Sequence, residues 1–152
     1  MAAFVIRHAR AVDREEWVGD DRLRPLIKGG RCQAERLAET LKNERIDKIL
    51  SSAYVRCVET VEPLAARLRL PIEPRKDLEE GAGGESVPRI MQEFTGRNTV
   101  LCTHGDVVEE LVEQLIERGL VSRARASNEM GGTWVLDEKD GKIAHATYLP
   151  AP

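Results

Sequence analysis

The chain alternates short apolar runs with segments in which apolar residues recur at helical spacing. Ala3 to Ile6, Ile46 to Leu50 and Asn98 to Thr103 have the length of strands, and we interpret each as a buried strand. A polar loop from Arg10 to about Lys28 follows the first of them. Gly29-Gly30 then opens a segment with apolar positions at i, i+3, i+4 and i+7, which predicts an amphipathic helix. The apolar face of this helix consists of Ala34, Leu37, Ala38 and Leu41.

A second helix is predicted after the strand that ends at Leu50. Ser51-Ser52 ends that strand and can cap the helix, because serine side chains accept hydrogen bonds from the first helical N–H groups. Pro63 falls inside the helical pattern, so we expect a kink or a restart there, since proline has no N–H to donate. The apolar side of the helix consists of Tyr54, Val58, Val61, Ala65 and Leu68.

The second half of the chain continues the alternation with shorter elements. Leu70 to Pro74 is predicted to be a short extended piece, and Glu79 to Gly84 an acidic, glycine-rich loop. Ser86 to about Phe94 is predicted to be a short helix that stops at Gly96.

The last predicted elements are a helix and a pair of strands. Asp106 with Glu109 three residues later resembles a capping box, which predicts an N-cap at Asp106. Thr133 to Leu136 and Ile143 to Leu149 are predicted to pair around Asp140-Gly141. The buried stripe of the helix consists of Val108, Leu111, Val112 and Leu115.

The predicted order of elements is β-α-β-α-β-α-β-α-β-β. Such alternation favours an α/β fold, a three-layer α/β/α sandwich in which a mostly parallel central sheet carries helices on both faces. The last pair of strands would add an antiparallel edge. At 152 residues, we expect a single domain that spans residues 1–152.

Composition narrows the classes of function. The formal net charge of −3 argues against broad nucleic-acid binding. No apolar run approaches the roughly 18 residues of a membrane span, and the first residues lack a signal-peptide pattern, so we expect a cytoplasmic protein without a membrane partner. The three cysteines form no CxxC motif, and we expect them to be reduced and mostly buried rather than zinc ligands.

Two of the three histidines follow predicted strands directly. His8 comes after Arg7 at the end of the first strand, and His104 comes after the strand that ends at Thr103. Arg56 lies just past the second strand, and the carboxyl ends of parallel strands share one edge of a sheet. Two guanidinium groups, an imidazole and a helix N-terminus would form a cradle for a phosphate dianion, within which a second imidazole can attack phosphorus. Because the arginines supply the positive charge, we expect neither a metal ion nor a cofactor.

These residues lie within motifs that resemble those of the histidine phosphatase superfamily, whose fold is that of phosphoglycerate mutase. Residues 7–9 (Arg-His-Ala) look like its Arg-His-Gly signature, and residues 103–105 (Thr-His-Gly) match its second histidine block. Residues 24–34 are similar to its Arg-Pro-Leu-Thr-x-x-Gly-x-x-Gln-Ala stretch, and residues 51–60 resemble its Ser-Ser-Pro-x-x-Arg-x-x-Gln-Thr. The short chain and the Arg-Pro-Leu element look most like the SixA branch of phosphohistidine phosphatases. Residues 128–135 also resemble similar domains that are fused to Nudix hydrolases.

The resemblance implies a role for each site residue. It makes His8 the nucleophile, and Arg7, Arg56 and His104 the groups that bind the phosphoryl group. The proton donor of the family usually follows a Leu-x-Glu pattern, which implies Glu80, with Glu79 as the alternative. The chain departs from the family at four positions that remove no catalytic atom: Ala9 for glycine, Ile27 for serine or threonine, Ala53 for proline, and Glu59 for glutamine.

Three functions remain open from the sequence. The first is a phosphatase of protein phosphohistidine that works through a covalent phosphohistidine intermediate. The second is a phosphatase of a small phosphorylated metabolite, such as a nucleotide or a sugar phosphate, at the same site. The third is a phosphate-binding regulatory module without turnover, which would have no need of His8. Two further residues carry expectations. Arg24 either lies on the solvated surface with Arg22 or braces the pocket through Asp20 or Asp21, and His145 is structural or faces solvent.

Overall fold

The computed structural model describes residues 1–152 and contains six strands and four helices. The strands are β1 (Ala2–Arg7), β2 (Lys48–Ser51), β3 (Ile72–Pro74), β4 (Thr99–Thr103), β5 (Thr133–Lys139) and β6 (Lys142–Leu149). The helices are α1 (Lys28–Leu41), α2 (Val55–Leu68), α3 (Ser86–Glu93) and α4 (Gly105–Glu117). Three short 3-10 helices lie at Asp21–Leu23, Lys76–Leu78 and Arg123–Arg125.

All six strands form one mixed sheet in the order β3-β2-β4-β1-β5-β6. The four strands from β3 to β1 are parallel neighbours, whereas β5 runs antiparallel to β1, and β6 runs antiparallel to β5. The predicted α/β fold, with a mostly parallel sheet and an antiparallel edge, is therefore confirmed. The order also sets β2, β4 and β1 side by side, so their carboxyl ends meet at one edge of the sheet.

Helices cover both faces of the sheet, as expected for a three-layer sandwich. Ala3 and Val5 of β1 point to one face and pack in a core with residues of α3 and α4. Phe4 and Ile6 point to the other face and pack with residues of α1 and α2. This alternation follows from the two-residue period of a strand, and full burial of a Val, Ile or Phe side chain contributes about 1.5–3 kcal/mol to stability.

Helix α2 runs without interruption through Pro63, so it does not restart there as the sequence allowed. Proline removes the hydrogen bond to the carbonyl of Glu59, four residues earlier. Val61 and Leu64 on either side of Pro63 are buried in the core with α1, which holds this stretch in the helix. Tertiary packing therefore outweighs the local helix breaker.

The predicted caps of two helices are wrong. Helix α4 begins at Gly105 with His104 as its N-cap, and no side chain caps it. The carboxylate of Asp106 instead accepts a hydrogen bond from the N–H of Gly81 at 2.7 Å. Helix α2 begins after Tyr54, also without a side-chain cap, although Oγ of Ser52 accepts a hydrogen bond from the Tyr54 N–H at 3.2 Å.

Two further expectations can be compared with the structure. No helix has both the length and the apolar character to cross a membrane. The three cysteines are free; Cys57 and Cys102 are buried, as expected for mostly buried thiols, and Cys32 is exposed.

Candidate active site

The ends of β1, β4 and β2 bring the predicted site residues together. The backbone N–H of His8 donates to the carbonyl of Thr103 at 3.0 Å, and the N–H of Ser52 donates to Cys102 at 3.0 Å. The chain thus continues the ladder one residue beyond each strand. As a result the rings of His8 and His104 face each other edge to face, with 5.6 Å between their centroids.

His8 is a neutral imidazole with one free lone pair. Its Nδ1 donates to the carbonyl of Ala9 at 2.8 Å, and because a carbonyl only accepts, Nδ1 carries the proton and Nε2 does not. The side chain is only 6% exposed. Burial first, and then the electrostatic influence of His104, Arg56 and Arg7, lowers the pKa of His8 to about 3 against the opposing hydrogen bond to Ala9. Such an imidazole stays unprotonated at neutral pH and can act as a nucleophile.

Arg7 reaches the same cleft from the last position of β1. Its Nη1 donates to the carbonyl of Asn128 at 2.6 Å, while its Nε has no partner. Burial lowers the pKa of this guanidinium, against the electrostatic influence of Tyr148 and Glu109 that raises it, but an arginine remains cationic in proteins. Gly105 leaves room for the group, since a Cβ there would lie 2.8 Å from Cζ of Arg7.

Arg56 lies on the floor of the site, where its side chain is 0% exposed. Its Nη1 donates to the carbonyl of Asp21 at 2.9 Å, and its Nη2 donates to Oδ2 of Asp21 at 3.1 Å and to Oε1 of Glu80 at 3.2 Å. The guanidinium also lies over the ring of Tyr54, 4.9 Å from its centroid. Nε of Arg56 is buried without a partner.

His104 is buried beside Arg56 and is held on both sides of its ring. Nε2 lies 2.8 Å from Oγ of Ser52, and Nδ1 lies 3.5 Å from Nη2 of Arg56. The ring of Tyr54 packs edge to face against it, with 4.7 Å between centroids. Oε1 of Glu80 is 3.9 Å from Nδ1 of His104.

The structure separates the two candidate proton donors. Glu80 points into the site, where Oε1 contacts Arg56 and His104 and accepts from Nη2 of Arg14 at 2.9 Å. Glu79 instead forms a two-point ion pair with Arg22 at 3.2 and 3.3 Å. Only Glu80 is therefore in reach of a group bound between His8 and Arg56.

These residues surround an open cleft of about 790 Å³. Arg7, His8 and Glu80 line it directly, whereas Arg56 and His104 lie in its floor and contact Glu80. The described residues contain no group of three or more His, Cys, Asp or Glu side chains placed to hold a metal ion. The full lining consists of Arg7, His8, Arg14, Arg24, Tyr54, Glu80, Gly81, Gly105, Asp106, Glu109, Asn128 and Met130.

Several residues of the site were missed by the sequence analysis. Arg14 lies in the long polar loop after β1, where no periodicity distinguishes one arginine from another. Ser52 lay in a motif that was noticed, but as a possible cap rather than as the partner of His104. The expected brace at Arg24 is present: its Nε donates to Oδ1 of Asp21 at 2.9 Å. His145 is exposed on β6, in keeping with the expectation that it is structural or faces solvent.

The segment 128–132 closes the site from the side of β5. The N–H of Gly131 donates to the carbonyls of Arg7 at 3.0 Å and of His8 at 3.1 Å, and the N–H of Arg7 donates to Gly132 at 3.1 Å. Gln33 of α1 holds the same segment, since its Nε2 donates to the carbonyl of Met130 at 3.1 Å. In the sequence, this segment stood out only for its resemblance to domains fused to Nudix hydrolases, and nothing in it indicated hydrogen bonds to the end of the first strand.

Comparison with known proteins agrees with this architecture. The family model of the histidine phosphatase superfamily (branch 1) matches residues 3–89. An 8-oxo-(d)GTP phosphatase of Mycolicibacterium smegmatis is 39% identical over 154 residues, which cover 98% of this chain and 48% of that protein. The chain thus spans about half the length of this relative.

Two solved structures share the fold. The Agrobacterium tumefaciens protein assigned as the phosphohistidine phosphatase SixA superposes with a TM-score of 0.78 at 24% identity, covering 98% of this chain and 97% of that one. The protein histidine phosphatase SixA in complex with tungstate superposes with a TM-score of 0.77 at 22% identity, covering 98% and 94%. With the family model matching more than half of the chain, and a relative of this identity along nearly all of it, the chain belongs to the histidine phosphatase superfamily (branch 1).

Proposed function

We propose that this protein is a phosphatase that transfers a phosphoryl group to Nε2 of His8 and then to water. The observation that carries the proposal is the state of His8. Its Nδ1–H is fixed on the Ala9 carbonyl, its pKa is about 3, and its second nitrogen is left without a proton in the lined cleft. A phosphate-binding module without turnover has no use for such a nucleophile.

The phosphoryl group would be held by Arg7, Arg56 and His104. Guanidinium groups bind phosphate oxygens through charge-assisted hydrogen bonds, and a buried site strengthens them. Nε of Arg7 and Nε of Arg56 are buried without a partner, so neither nitrogen is engaged by another group of the protein. The N-terminus of α4 follows His104 directly and adds backbone N–H groups that favour an anion.

The reaction has two steps with a balanced transfer of groups. Nε2 of His8 attacks phosphorus, the N–P bond forms, and the bond from phosphorus to the leaving group breaks. Glu80 is the carboxyl placed to deliver a proton to that leaving group. Water then attacks phosphorus, the N–P bond breaks with its electron pair returning to Nε2, and the proton of the water goes to Glu80. Orthophosphate is the product.

A small phosphorylated molecule, with an oxidised guanine nucleotide as the first example, is the substrate we favour. The support is the 8-oxo-(d)GTP phosphatase, which is 39% identical along 98% of this chain. The activity belongs to the whole relative, and this chain matches about half of it. Because the matched half alone can act on a different phosphorylated form of the nucleotide, nucleoside mono-, di- and triphosphates must be tested separately.

Protein phosphohistidine is the second candidate, and the form of the cleft favours it. The cleft is open to solvent, and β4 leads to α4 with no residue between them other than His104. An open cleft gives a phosphorylated side chain on a protein surface access to His8. The fold shared with the SixA structures supports the same candidate.

The test compares the wild type with His8→Asn on a substrate panel. We expect the wild type to release orthophosphate and to form an acid-labile, base-stable phosphoprotein in rapid-quench samples. His8→Asn should lose both, while His145→Asn, which alters the exposed histidine on β6, should keep both. The kcat/KM values for oxidised and ordinary guanine nucleotides, a phosphohistidine protein and sugar phosphates then rank the substrates. Undiminished hydrolysis by His8→Asn would contradict the mechanism.

A further inference from the structure

Two carboxylates compete for the buried guanidinium of Arg56. A cation with no exposure to water requires a counter-charge, because desolvation of an unpaired charge is costly. Asp21 and Glu80 each place one oxygen near Nη2, at 3.1 and 3.2 Å. The bound phosphoryl group of the proposed reaction would need the same guanidinium edge.

The two carboxylates are held in different ways. Asp21 contacts Arg56 through two groups, its carbonyl at Nη1 and its Oδ2 at Nη2, and its Oδ1 is fixed by Arg24 at 2.9 Å. Arg24 is itself buried and donates to the carbonyl of Val12 at 2.6 Å. The two side chains are similarly exposed, Asp21 at 38% and Glu80 at 34%, and both lie near the exposed Arg14, at 3.9 and 2.9 Å. What distinguishes Asp21 is its second contact with Arg56 and its bond to the buried Arg24, whereas Glu80 lines the cleft and has no buried partner other than Arg56 and His104.

The ionisation of Asp21 agrees with these contacts. Burial opposes it, but the hydrogen bond from Arg24 and the charge and hydrogen bond of Arg56 outweigh burial and lower the pKa of the carboxyl. The carboxylate therefore stays charged across the neutral range. It remains a partner of Arg56 when Glu80 is displaced.

We propose that Asp21 is the positioning residue that holds Arg56 on the cleft floor against the pull of Glu80, so that the guanidinium stays available to the phosphoryl group. The proposal rests on the proposed function, because it concerns how the site binds phosphate. Asp21 acts through Arg56 and does not contact the reacting atoms. Without it, Arg56 would follow Glu80, and the incoming anion would have to break that ion pair.

The proposal predicts a change in phosphate affinity opposite in direction to the change that charge repulsion alone predicts. Neutralising a carboxylate near an anion site removes a repulsion, which by itself tightens phosphate binding. Loss of positioning weakens it instead. We expect Asp21→Asn to weaken binding of inorganic phosphate, measured by calorimetry and as competitive inhibition, roughly tenfold, since small misplacements of a binding group have effects of this size.

The matched control is Asp20→Asn. Asp20 is the neighbouring carboxylate and accepts from the N–H of Arg22 at 2.9 Å, a cap that asparagine also provides. It makes the same change of charge without touching Arg56. We expect its phosphate affinity to be unchanged or slightly tighter. An increase in affinity for Asp21→Asn equal to that of the control would overturn the proposal.

A second background tests the competition with Glu80. In Glu80→Gln the carboxylate charge that competes for Arg56 is removed. Adding Asp21→Asn to this variant should therefore reduce phosphate affinity by less than about a third of the fold-change that Asp21→Asn causes in the wild type. Such a coupling is expected only for residues that share a partner. Equal losses in both backgrounds would mean that Asp21 does not act through this competition. Binding of phosphate is the readout, so the effect of Glu80 on turnover does not enter.

Thermal melts accompany every variant. If Asp21→Asn does not fold, Asp21→Glu keeps the charge and shifts the carboxylate; phosphate binding at least about threefold weaker supports positioning, and unchanged binding contradicts it. A wild type that neither hydrolyses phosphate compounds nor binds phosphate would refute the proposed function itself. An active wild type with an unaltered Asp21→Asn would refute this inference alone.

Discussion

Gly105 lies against the guanidinium of Arg7 so closely that a Cβ on Gly105 would be 2.8 Å from Cζ of Arg7. The close neighbour is the far end of a flexible side chain, so a methyl group there displaces Arg7 and leaves the backbone in place. We expect Gly105→Ala to lower kcat/KM about ten- to hundredfold with a small change in Tm, because a displaced phosphate-binding group loses its orientation. Steady-state kinetics with a thermal melt measures both.

The control for that substitution is Gly29→Ala, at the beginning of another helix. A Cβ on Gly29 would meet no atom nearer than 3.9 Å. The control should keep full activity. Equal activity of both variants would mean that the position of Arg7 has no bearing on turnover.

Glu80→Gln should slow hydrolysis of phosphomonoesters by about 10²-fold, the usual effect of losing a general acid. The loss should be smaller for a phosphohistidine substrate, because imidazole is a better leaving group than an alkoxide. Glu79→Gln is the matched variant, since Glu79 binds Arg22 rather than the floor of the site. A comparable loss in Glu79→Gln would contradict the assignment of Glu80.

The free energy of unfolding should decrease as the pH is lowered, because His8 is buried in its neutral form. The unfolded chain binds a proton below about 6.5, whereas the folded protein resists until about 3, so stability present above the first value is lost as pH falls toward the second. Between about pH 7 and pH 5, urea unfolding should show the wild type losing roughly 2 kcal/mol more than His8→Gln. Parallel losses would mean that His8 is not neutral in the fold.

Gly30→Ala should destabilise the protein by about 3 kcal/mol or more, because overpacking against rigid backbone cannot relax. A Cβ on Gly30 would lie 2.0 Å from the carbonyl oxygen of Arg10. Gly29→Ala, one residue earlier in α1, should stay within about 1 kcal/mol of the wild type, since alanine is the better helix former. Chemical denaturation of the two variants gives the comparison, and similar values for both would contradict the close approach at Gly30.

Much of the architecture could be predicted because apolar runs and helical periods record burial directly. β1, β4 and α1 were recognised from such patterns, and strand ends in a parallel sheet then indicated where His8, Arg56 and His104 would meet. Arg14 could not be found in this way, and Asp21 was expected only as one of two partners for Arg24. They lie in a polar loop whose position is set by ion pairs with residues far along the chain, and such pairs leave no periodic trace in sequence.

The caps were misjudged for a related reason. Asp106 has the spacing of a capping box, yet its carboxylate is better satisfied by the N–H of Gly81 from a loop 25 residues away. The capping-box rule assumes that the carboxylate accepts a hydrogen bond from its own helix. At the edge of this sheet, where several loops converge, a distant donor competes successfully with the residue's own helix.

The hydrogen bonds of residues 131 and 132 to Arg7 and His8 have a consequence for folding during synthesis. β1 precedes the other strands in the chain but lies between β4 and β5, and Arg7 and His8 are held both by Thr103 after β4 and by a segment more than 120 positions later. A ribosome-bound chain would therefore carry an unformed, inactive site until β5 emerges, and contacts so distant in sequence form slowly. Phosphoryl transfer would begin only after the hairpin of β5 and β6 has been released from the exit tunnel.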